Sequence, residues 1–458
     1  MTRLLALTCG LILATGPMWI GYGPSAPFPI MRGIAVVAVL LTAMALHHDQ
    51  RVAPPWVSPS FLLPVLAVVL YSLAPASYLL LTGRSPVDPL PGQTPAQARV
   101  LGDELANINF PFIASASPAE ALVLSFAGIG LVLALLGLDG KPNNTPQCRP
   151  PFPSFWAWTL LICGGITFQI GRRGFLPPSL CDLLPPIMLL AAASLVLAGR
   201  SRQLPNLLGA LAAIFTVIAL LTPFQLKLAA YFAIPGVLFL LFQVPSRIRP
   251  VLGLLIVVIP VAGAILLGLH RGAITSDKPL WSITETLRWK LALRQAETLY
   301  CLRFAQAAGL AHPRGDGGRS PWYFAEALIP RILWPEKPSL SRGDEYGERY
   351  CGVTGISNHS GSITLLGEPL VQAGRPGLLT AAMLLGVLSL VVSRLWLRQG
   401  PLGAPLVLTI APWLIDFDQN FSLYAAGSVK AALVCAAILL LSRCLGFAFV
   451  RAAHRFKS

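Results

Sequence analysis

The sequence predicts an all-α polytopic integral membrane protein with about twelve transmembrane helices and one large, partly helical outer loop. Three observations predict this class. The chain of 458 residues is 55% hydrophobic and only 12% charged, and its mean hydropathy is +0.68. Apolar segments that are long enough to cross a bilayer recur along the chain. Of its 19 acidic residues, ten fall between His270 and Arg375.

Each predicted span is an apolar run of about 20 residues, in which a helix pairs its backbone polar groups internally. The count lies between about 10 and 13. Gly16 and Pro17 interrupt the first run, and only Pro223 and Phe224 separate the seventh run from the eighth. The spans are predicted at 4–22, 30–47, 60–81, 118–137, 154–170, 177–198, 204–222, 225–243, 250–269, 376–393, 401–416 and 424–442.

Basic residues orient the chain, because connectors rich in Lys and Arg face the cytoplasm. This rule places both termini in the cytoplasm and the segments 82–117 and 270–375 on the periplasmic side of the cell inner membrane. The clustering in short connectors also argues against a nucleic-acid partner, despite a net charge of +15. The connector residues are Arg200, Arg202, Arg247, Arg249, Arg394, Arg398, Arg443, Arg451, Arg455 and Lys457.

Three regions follow from this orientation. Residues 1–269 are predicted to form a membrane bundle of about nine helices. Residues 270–375 form the large periplasmic loop, and residues 376–458 form the C-terminal membrane helices and the cytoplasmic tail. The concentration of carboxylates in the loop favours a membrane-embedded site that faces the periplasm.

The large loop is predicted to contain three helices. The capping-box pattern Ser282-Ile-Thr-Glu285 predicts an amphipathic helix over 283–309. Ser320 before Pro321 predicts a second helix that ends near Leu333, unless Pro330 ends it earlier. A third helix is predicted over 361–373 and is ended by Gly374 before the tenth span. The segment 340–356 is polar and punctuated by glycine, and no element is assigned to it.

The doublet Arg172-Arg173 breaks the orientation pattern, because it falls on the outer side between the fifth and sixth spans. Either the spans are miscounted here, or the two arginines bind an anionic group. Charged residues at the outer ends of other spans are expected to be functional or paired, because an isolated charge in lipid is costly. These residues are Arg32, Asp182, Lys227, Asp416, Asp418 and Lys430.

The eight cysteines show no metal-ligand spacing, so the sequence predicts no metal site. Cys301 and Cys351 are the two cysteines of the large loop, where a periplasmic compartment permits disulfides. We predict that these two are bonded to each other. Two buried free thiols are the alternative.

A motif in the large loop resembles a known family. The run Leu328-Ile-Pro-Arg331-Ile-Leu-Trp334-Pro335-Glu336-Lys337-Pro338 resembles the Pro-Arg-x-x-Trp-Pro-x-Lys-Pro signature of bacterial polysaccharide repeat-unit polymerases, the O-antigen and exopolysaccharide polymerases of the Wzy type. The resemblance continues through Ser357-Asn358-His359, Leu366-Gly367-Glu368 and Gly374-Arg375-Pro376-Gly377. The order of many spans, one large outer loop and a few further spans is also similar. The chain departs from the family at Pro369-Leu370-Val371-Gln372, where an aromatic or asparagine-containing stretch is common.

The resemblance implies a GT-C-like glycosyltransferase that polymerises lipid-linked repeat units into O-antigen or exopolysaccharide. A growing glycan would move from its undecaprenyl-pyrophosphate carrier onto the sugar end of a new undecaprenyl-pyrophosphate-linked oligosaccharide. Membrane lipid surrounds such an enzyme, and whether a chain-length regulator binds stays open. The reaction needs no nucleotide or other cofactor, because loss of the pyrophosphate group drives it. The sequence accordingly contains no Walker loop and no dinucleotide-binding glycine motif.

Such a transfer needs cations for the pyrophosphate and a base for the acceptor hydroxyl. Arginine binds phosphate oxygens in a bidentate manner. His359 and Glu368 are the candidate catalytic residues, one as the general base and the other as an orienting group. Trp334 is expected to stack on a sugar, or to anchor the chain at the membrane interface. Arg331 and Arg375 have membrane-anchoring alternatives. The substrate-binding candidates, besides Trp334, are Arg172, Arg173, Arg331, Lys337 and Arg375.

Two other functions remain open from the sequence. An O-antigen-type ligase would use the same donor, and Asn358-His359 followed by Glu368 suits a ligase, whereas the Trp334-to-Pro338 stretch favours a polymerase. A non-catalytic polysaccharide transporter or flippase would be expected to show inverted repeats and helices broken at the midplane. Neither feature is visible in the sequence, and a structural scaffold has still less support.

Overall fold

The computed structural model of the protein describes residues 125, 129, 132, 152–199, 203–243, 301, 302, 305, 306, 308, 309, 311–329, 334, 336, 343–351, 363–397, 403–416 and 419–455. Beyond Leu441 only the backbone is described. The predicted first, second, third and ninth spans therefore lie outside the described residues. Of the predicted fourth span, the described positions 125, 129 and 132 are helical.

All regular elements in these ranges are helices. Helix α1 continues into a π-helical turn at Gly171–Phe175, and α2 is a single turn. The helices are α1 Ser154–Ile170, α2 Pro178–Cys181, α3 Leu184–Ala198, α4 Leu204–Gln243, α5 Ala325–Leu328, α6 Gly343–Cys351, α7 Thr364–Leu397, α8 Ala404–Leu414 and α9 Phe421–Arg455.

Four of the described helical segments are long and apolar enough to cross a membrane. They are Ser154–Phe175, Leu204–Pro223, Thr364–Trp396 and Phe421–Leu441. The apolar helices Leu184–Ala198, Lys227–Leu241 and Ala404–Leu414 are shorter. The chain is therefore an α-helical protein with the helices of a membrane protein. The twelve spans and the GT-C-like architecture stay predictions.

Helix α3 is the centre of the packed bundle. Its residues from Met188 to Leu197 are buried on every side, between α1, α4 and α8. A helix that is apolar all round is stable only when it is enclosed in this way. Small residues bring its neighbours close together. A Cβ atom on Gly165 of α1 would overlap the side chain of Leu220 in α4.

Helix α4 is broken at Gln225, whose backbone lies at φ −142° and ψ 53°. Pro223 lies two residues earlier, and proline removes a backbone donor and crowds the preceding turn. The break divides α4 into the two apolar segments that the sequence predicts at 204–222 and 225–243.

Helix α7 is broken at Gly374, which adopts φ 65° and ψ −154°. The predicted helix over 361–373 begins at Thr364, and the tenth predicted span continues directly after the break. A break leaves carbonyl groups without helical donors, and Pro376 cannot supply one. The loop before α5 supplies them instead. The Gly317 N–H donates to the Val371 carbonyl at 2.8 Å, and the Arg319 N–H donates to the Gln372 carbonyl at 2.7 Å.

The crossing of this loop over the break requires glycine. Gly315 lies at φ 70°, where side chains are rarely tolerated, and its added Cβ would lie 2.5 Å from the Leu370 carbonyl oxygen. The same overlap arises at Gly374, where an added Cβ would lie 2.5 Å from the Pro313 carbonyl oxygen. We define the loop crossing as residues 312–319 together with the break at 370–374.

In the large loop, one predicted helix begins later than expected, and one helix was not predicted. The second helix begins at Ala325, after a turn, and ends at Leu328. Ile329 is extended because it precedes Pro330, which disfavours helical geometry in the residue before it. The segment 340–356 contains α6. Its helix forms because Tyr346 and Tyr350, four residues apart, share one buried face.

Cys301 is disulfide-bonded and fully buried, in a cluster with Tyr346, Tyr350 and Val371. The side chain of Cys351, its predicted partner, lies outside the described residues. The pairing of these two cysteines therefore stays a prediction. The predicted helix over 283–309 is helical at its described positions 301, 302, 305, 306, 308 and 309, and its start lies outside the described residues.

Replacing Gly315 with alanine should destabilise the protein by at least about 1–2 kcal/mol, because it adds both an unfavourable φ and a steric overlap. The measurement is the thermal unfolding of the purified protein in detergent. Gly209→Ala is the matched control, because a Cβ at this helical position meets no atom within 4 Å. Equal unfolding temperatures for the two variants would contradict the loop crossing.

Candidate functional site

Glu368 is a buried carboxylate in the first turns of α7, and its side chain is 2% exposed. The backbone N–H of Ser422 donates to its Oε2 at 2.7 Å. The hydroxyls of Ser422 and Tyr346 both donate to Oε1 at 3.2 Å. The Gln372 Nε2 donates in turn to the Tyr346 hydroxyl at 3.0 Å. These four residues, here called the Glu368 network, join α6, α7 and α9.

Ser422 lies in the first turn of α9, where backbone N–H groups have no helical acceptor. The Glu368 carboxylate accepts one of these groups and places negative charge at the positive end of the helix. Glu368 therefore caps the first turn of the neighbouring helix α9. This contact fixes the orientation of the carboxylate.

Aromatic residues close the network on the side of the large loop. The Phe324 ring packs edge-on against Phe421, with 5.3 Å between the ring centroids, and Tyr323 packs edge-on against Phe324. Burial, and then the nearby Glu368 carboxylate, raise the pKa of Tyr323 well above its usual value. Tyr323 therefore stays protonated and neutral beside Glu368.

The loop crossing is fastened to α6 by one acidic residue. Asp316 accepts a hydrogen bond from the Tyr350 hydroxyl at 2.7 Å and pairs with Arg349 at 3.0 Å. Burial and the contact with Asp316 raise the pKa of Tyr350, so the hydroxyl remains a donor. The same helix thus holds both the loop crossing, through Tyr350, and Glu368, through Tyr346.

The predicted binding residues that are described lie in the turn after α1, next to the break in α7 and at Trp334. Arg172 pairs with Asp182 at 3.1 Å and lies over the Phe168 ring, while Arg173 beside it is exposed. Arg375 is exposed next to the break in α7. Trp334 is partly buried, and no described contact joins it to Glu368.

Three predicted site residues, His359, Arg331 and Lys337, lie outside the described residues. Their roles stay predictions, and so does the choice between His359 and Glu368 as the general base. Within the described ranges no group of three or more His, Cys, Asp and Glu side chains could hold a metal ion.

Tyr346, Gln372 and Ser422 are members of the site that the sequence did not single out. Gln372 falls four residues after Glu368, so helical spacing could have placed the two side chains on one face. Ser422 lies 54 residues from Glu368, and only the packing of two helices brings them together. No local pattern predicts that contact.

The charged residues predicted at the ends of spans form a second polar cluster. Lys227 pairs with Asp416 at 2.6 Å, and Lys430 lies 3.7 Å from Asp182, which also holds Arg172. Arg32 and Asp418 lie outside the described residues. This cluster and the Glu368 network share α9, since Lys430 lies about two turns beyond Ser422.

The Glu368 network holds an oriented, buried carboxyl group next to two hydroxyl groups. Two buried amide oxygens accept no hydrogen bond within the described part of the chain: Oε1 of Gln372 and Oδ1 of Asn420, which lies two residues before Ser422. Such groups suit a hydroxyl-bearing ligand more than an apolar one. Comparison with protein-family models, with curated proteins and with solved structures finds no match to this chain.

Replacing Glu368 with glutamine should lower the unfolding temperature, by an amount equivalent to about 1–3 kcal/mol. The amide has only one accepting atom, so it cannot serve the Ser422 N–H and both hydroxyls. The measurement is thermal unfolding in detergent. Glu348→Gln, at an exposed position of α6, is the matched control and should leave stability unchanged. Wild-type stability of the Glu368 variant would contradict the network.

Proposed function

We propose that the protein is a nucleotide-independent glycosyltransferase, which polymerises polyprenyl-pyrophosphate-linked repeat units at the outer face of the inner membrane. The observation that carries the proposal is the buried, oriented Glu368 at the broken end of a membrane-length helix. Ionisable groups inside membrane bundles are costly and usually mark a function. The motifs around Arg331, Glu368 and Arg375, which resemble those of repeat-unit polymerases, indicate which reaction is proposed.

In the proposed reaction, the acceptor hydroxyl oxygen attacks the anomeric carbon of the donor glycan. The bond between that carbon and the pyrophosphate oxygen breaks, and the pyrophosphate leaves on its lipid carrier. Glu368 or His359 takes the hydroxyl proton. Arg172, Arg173, Arg331, Lys337 and Arg375 offset the charge of the leaving group, and Trp334 stacks on a sugar.

The direction of the helices supports the periplasmic placement. The contact between Glu368 and Ser422 joins the first turns of α7 and α9, so both helices run away from it. At their other ends the sequence carries Arg394 in α7 and Arg443, Arg451 and Arg455 in α9. Basic ends face the cytoplasm, so the Glu368 end faces the periplasm in the proposal.

Purified protein supplied with lipid-linked repeat units should yield a ladder of longer glycans on the lipid carrier. A product that appears only on an added lipid core would indicate a ligase instead. In a deletion strain, single-repeat glycan that is still attached to the cell surface indicates a polymerase. Long, unattached glycan in that strain indicates a ligase, and loss of translocation without either product indicates a transporter.

Replacing Arg375 with glutamine should slow polymerisation at least about tenfold, because one charge-assisted contact to phosphate is lost. The unfolding temperature should stay within error, since Arg375 is exposed. The measurement is the rate of ladder formation per amount of monodisperse protein.

Arg394→Gln is the matched control, because it removes the same charge at an exposed position near the other end of α7. An Arg375 variant that polymerises at the wild-type rate would remove Arg375 from the site. Polymerisation at the wild-type rate by both the Arg375 and Glu368 variants would reject the proposed site.

A further inference from the structure

A polar cavity of about 330 Å³ opens between the membrane helices, separate from the Glu368 network. Its volume lies at the lower end of the range of about 300–1,000 Å³ that is typical of ligand sites. Four helices or their ends contribute to its wall. The lining residues used below are Asp182, Gln225, Lys227, Trp413, Asp416 and Lys430.

Two lysines and two aspartates face each other in this cavity. Lys227 pairs with Asp416 at 2.6 Å, whereas Lys430 is 3.7 Å from Asp182. Arg172 reaches the same aspartate at 3.1 Å. The four charged lining groups balance one another. Because Arg172 also contacts Asp182, this aspartate offsets the positive charge of Lys430 only in part.

The ion pair between Lys430 and Asp182 contributes little to the stability of the fold. The side chains of Lys430 and Asp182 are 49% and 47% exposed, and exposed ion pairs contribute little to folding. Charged residues in membrane bundles are nevertheless costly, and they usually face a cavity or a ligand pathway. The Lys430 Nζ lies 3.7 Å from the Asp182 carboxylate, so it can also contact a ligand in the cavity.

The backbone around the cavity also suits an anion. Gln225 lines it at the break in α4, where the second segment of that helix begins. Pro185 and Pro186 line it from the first turn of α3. Helix beginnings carry partial positive charge, and broken membrane helices use them to bind anionic groups. Lys227 lies in the first turn after the break in α4. Its ammonium group therefore adds to the partial positive charge of the helix start.

Trp413 forms a rigid wall of the cavity. A Cβ on Gly427 of α9 would lie 2.9 Å from its Cδ1 atom, so the ring lies directly against the helix backbone. The Tyr231 ring lies 5.6 Å from the Lys227 Nζ. Trp413 and Tyr231 therefore give the cavity two aromatic walls beside its lysines.

We propose that this cavity binds a phosphate or diphosphate group, with Lys227 and Lys430 as its cations and Asp182 as a competing internal anion. The ligand displaces Asp182 from Lys430. The inference goes beyond the proposed function, because the cavity is an anion site separate from the Glu368 network. The binding itself does not depend on turnover.

The test measures binding to the full-length protein in phosphatidylcholine nanodiscs. Two probes are titrated separately: inorganic pyrophosphate and a polyprenyl diphosphate. Replacing Lys430 with glutamine should weaken binding about tenfold, because one charge-assisted contact is lost. Replacing Asp182 with asparagine should strengthen binding several-fold, because the competing carboxylate is gone. Arg394→Gln, outside the cavity, should bind like the wild type.

The opposite signs of the two substitutions distinguish a binding site from a structural cluster. Weaker binding by both variants, together with lower unfolding temperatures, would overturn the proposal. Binding of neither probe by the wild type would also overturn it. Binding of both probes supports a site for the phosphate itself, and binding of the lipid probe alone supports a lipid headgroup site.

Failure of this inference can be told apart from failure of the proposed function. If repeat units are polymerised while the Lys430 and Asp182 variants bind both probes like the wild type, only the cavity assignment fails. If the binding changes appear as expected but no polymer forms, the cavity stands and the proposed function fails.

Discussion

The break in α7 at Gly374 is the constraint on which the described part of the large loop depends. A helix that stops and restarts inside a membrane protein leaves carbonyl groups that need donors. The backbone of Gly317 and Arg319 supplies those donors. Their approach is close enough to exclude any side chain at Gly315. The loop is thereby tied to the membrane helix by main-chain hydrogen bonds, and its register is fixed.

That register determines where the polar site forms. With the loop in place, Asp316 anchors Tyr350, and the same helix presents Tyr346 to Glu368. Glu368 in turn holds the first turn of α9 through Ser422. The carboxylate is therefore both a structural cap and the leading candidate for chemistry. A role in stability does not exclude a role in catalysis, and the two are separated by measuring rate per folded molecule.

Local rules predicted the features of the fold that depend on nearby residues. The segments on either side of Gln225 and the helix ended by Gly374 follow from proline and glycine chemistry, which needs no tertiary information. The missed helix α6 shows the limit of those rules. Gly343 and Gly347 have low helix propensity, and the shared burial of Tyr346 and Tyr350 outweighs it. The sequence also singled out Glu368 but not Ser422, because their contact spans 54 residues.

The central claim is that the Glu368 end of the bundle faces the periplasm, where lipid-linked sugars can reach it. The most direct measurement is a set of reporter fusions truncated near residue 315, using one reporter that is active only outside the cytoplasm and one that is active only inside. The account predicts activity of the outside reporter alone. Activity of the inside reporter would contradict the placement of the site, and with it glycan polymerisation by this chain.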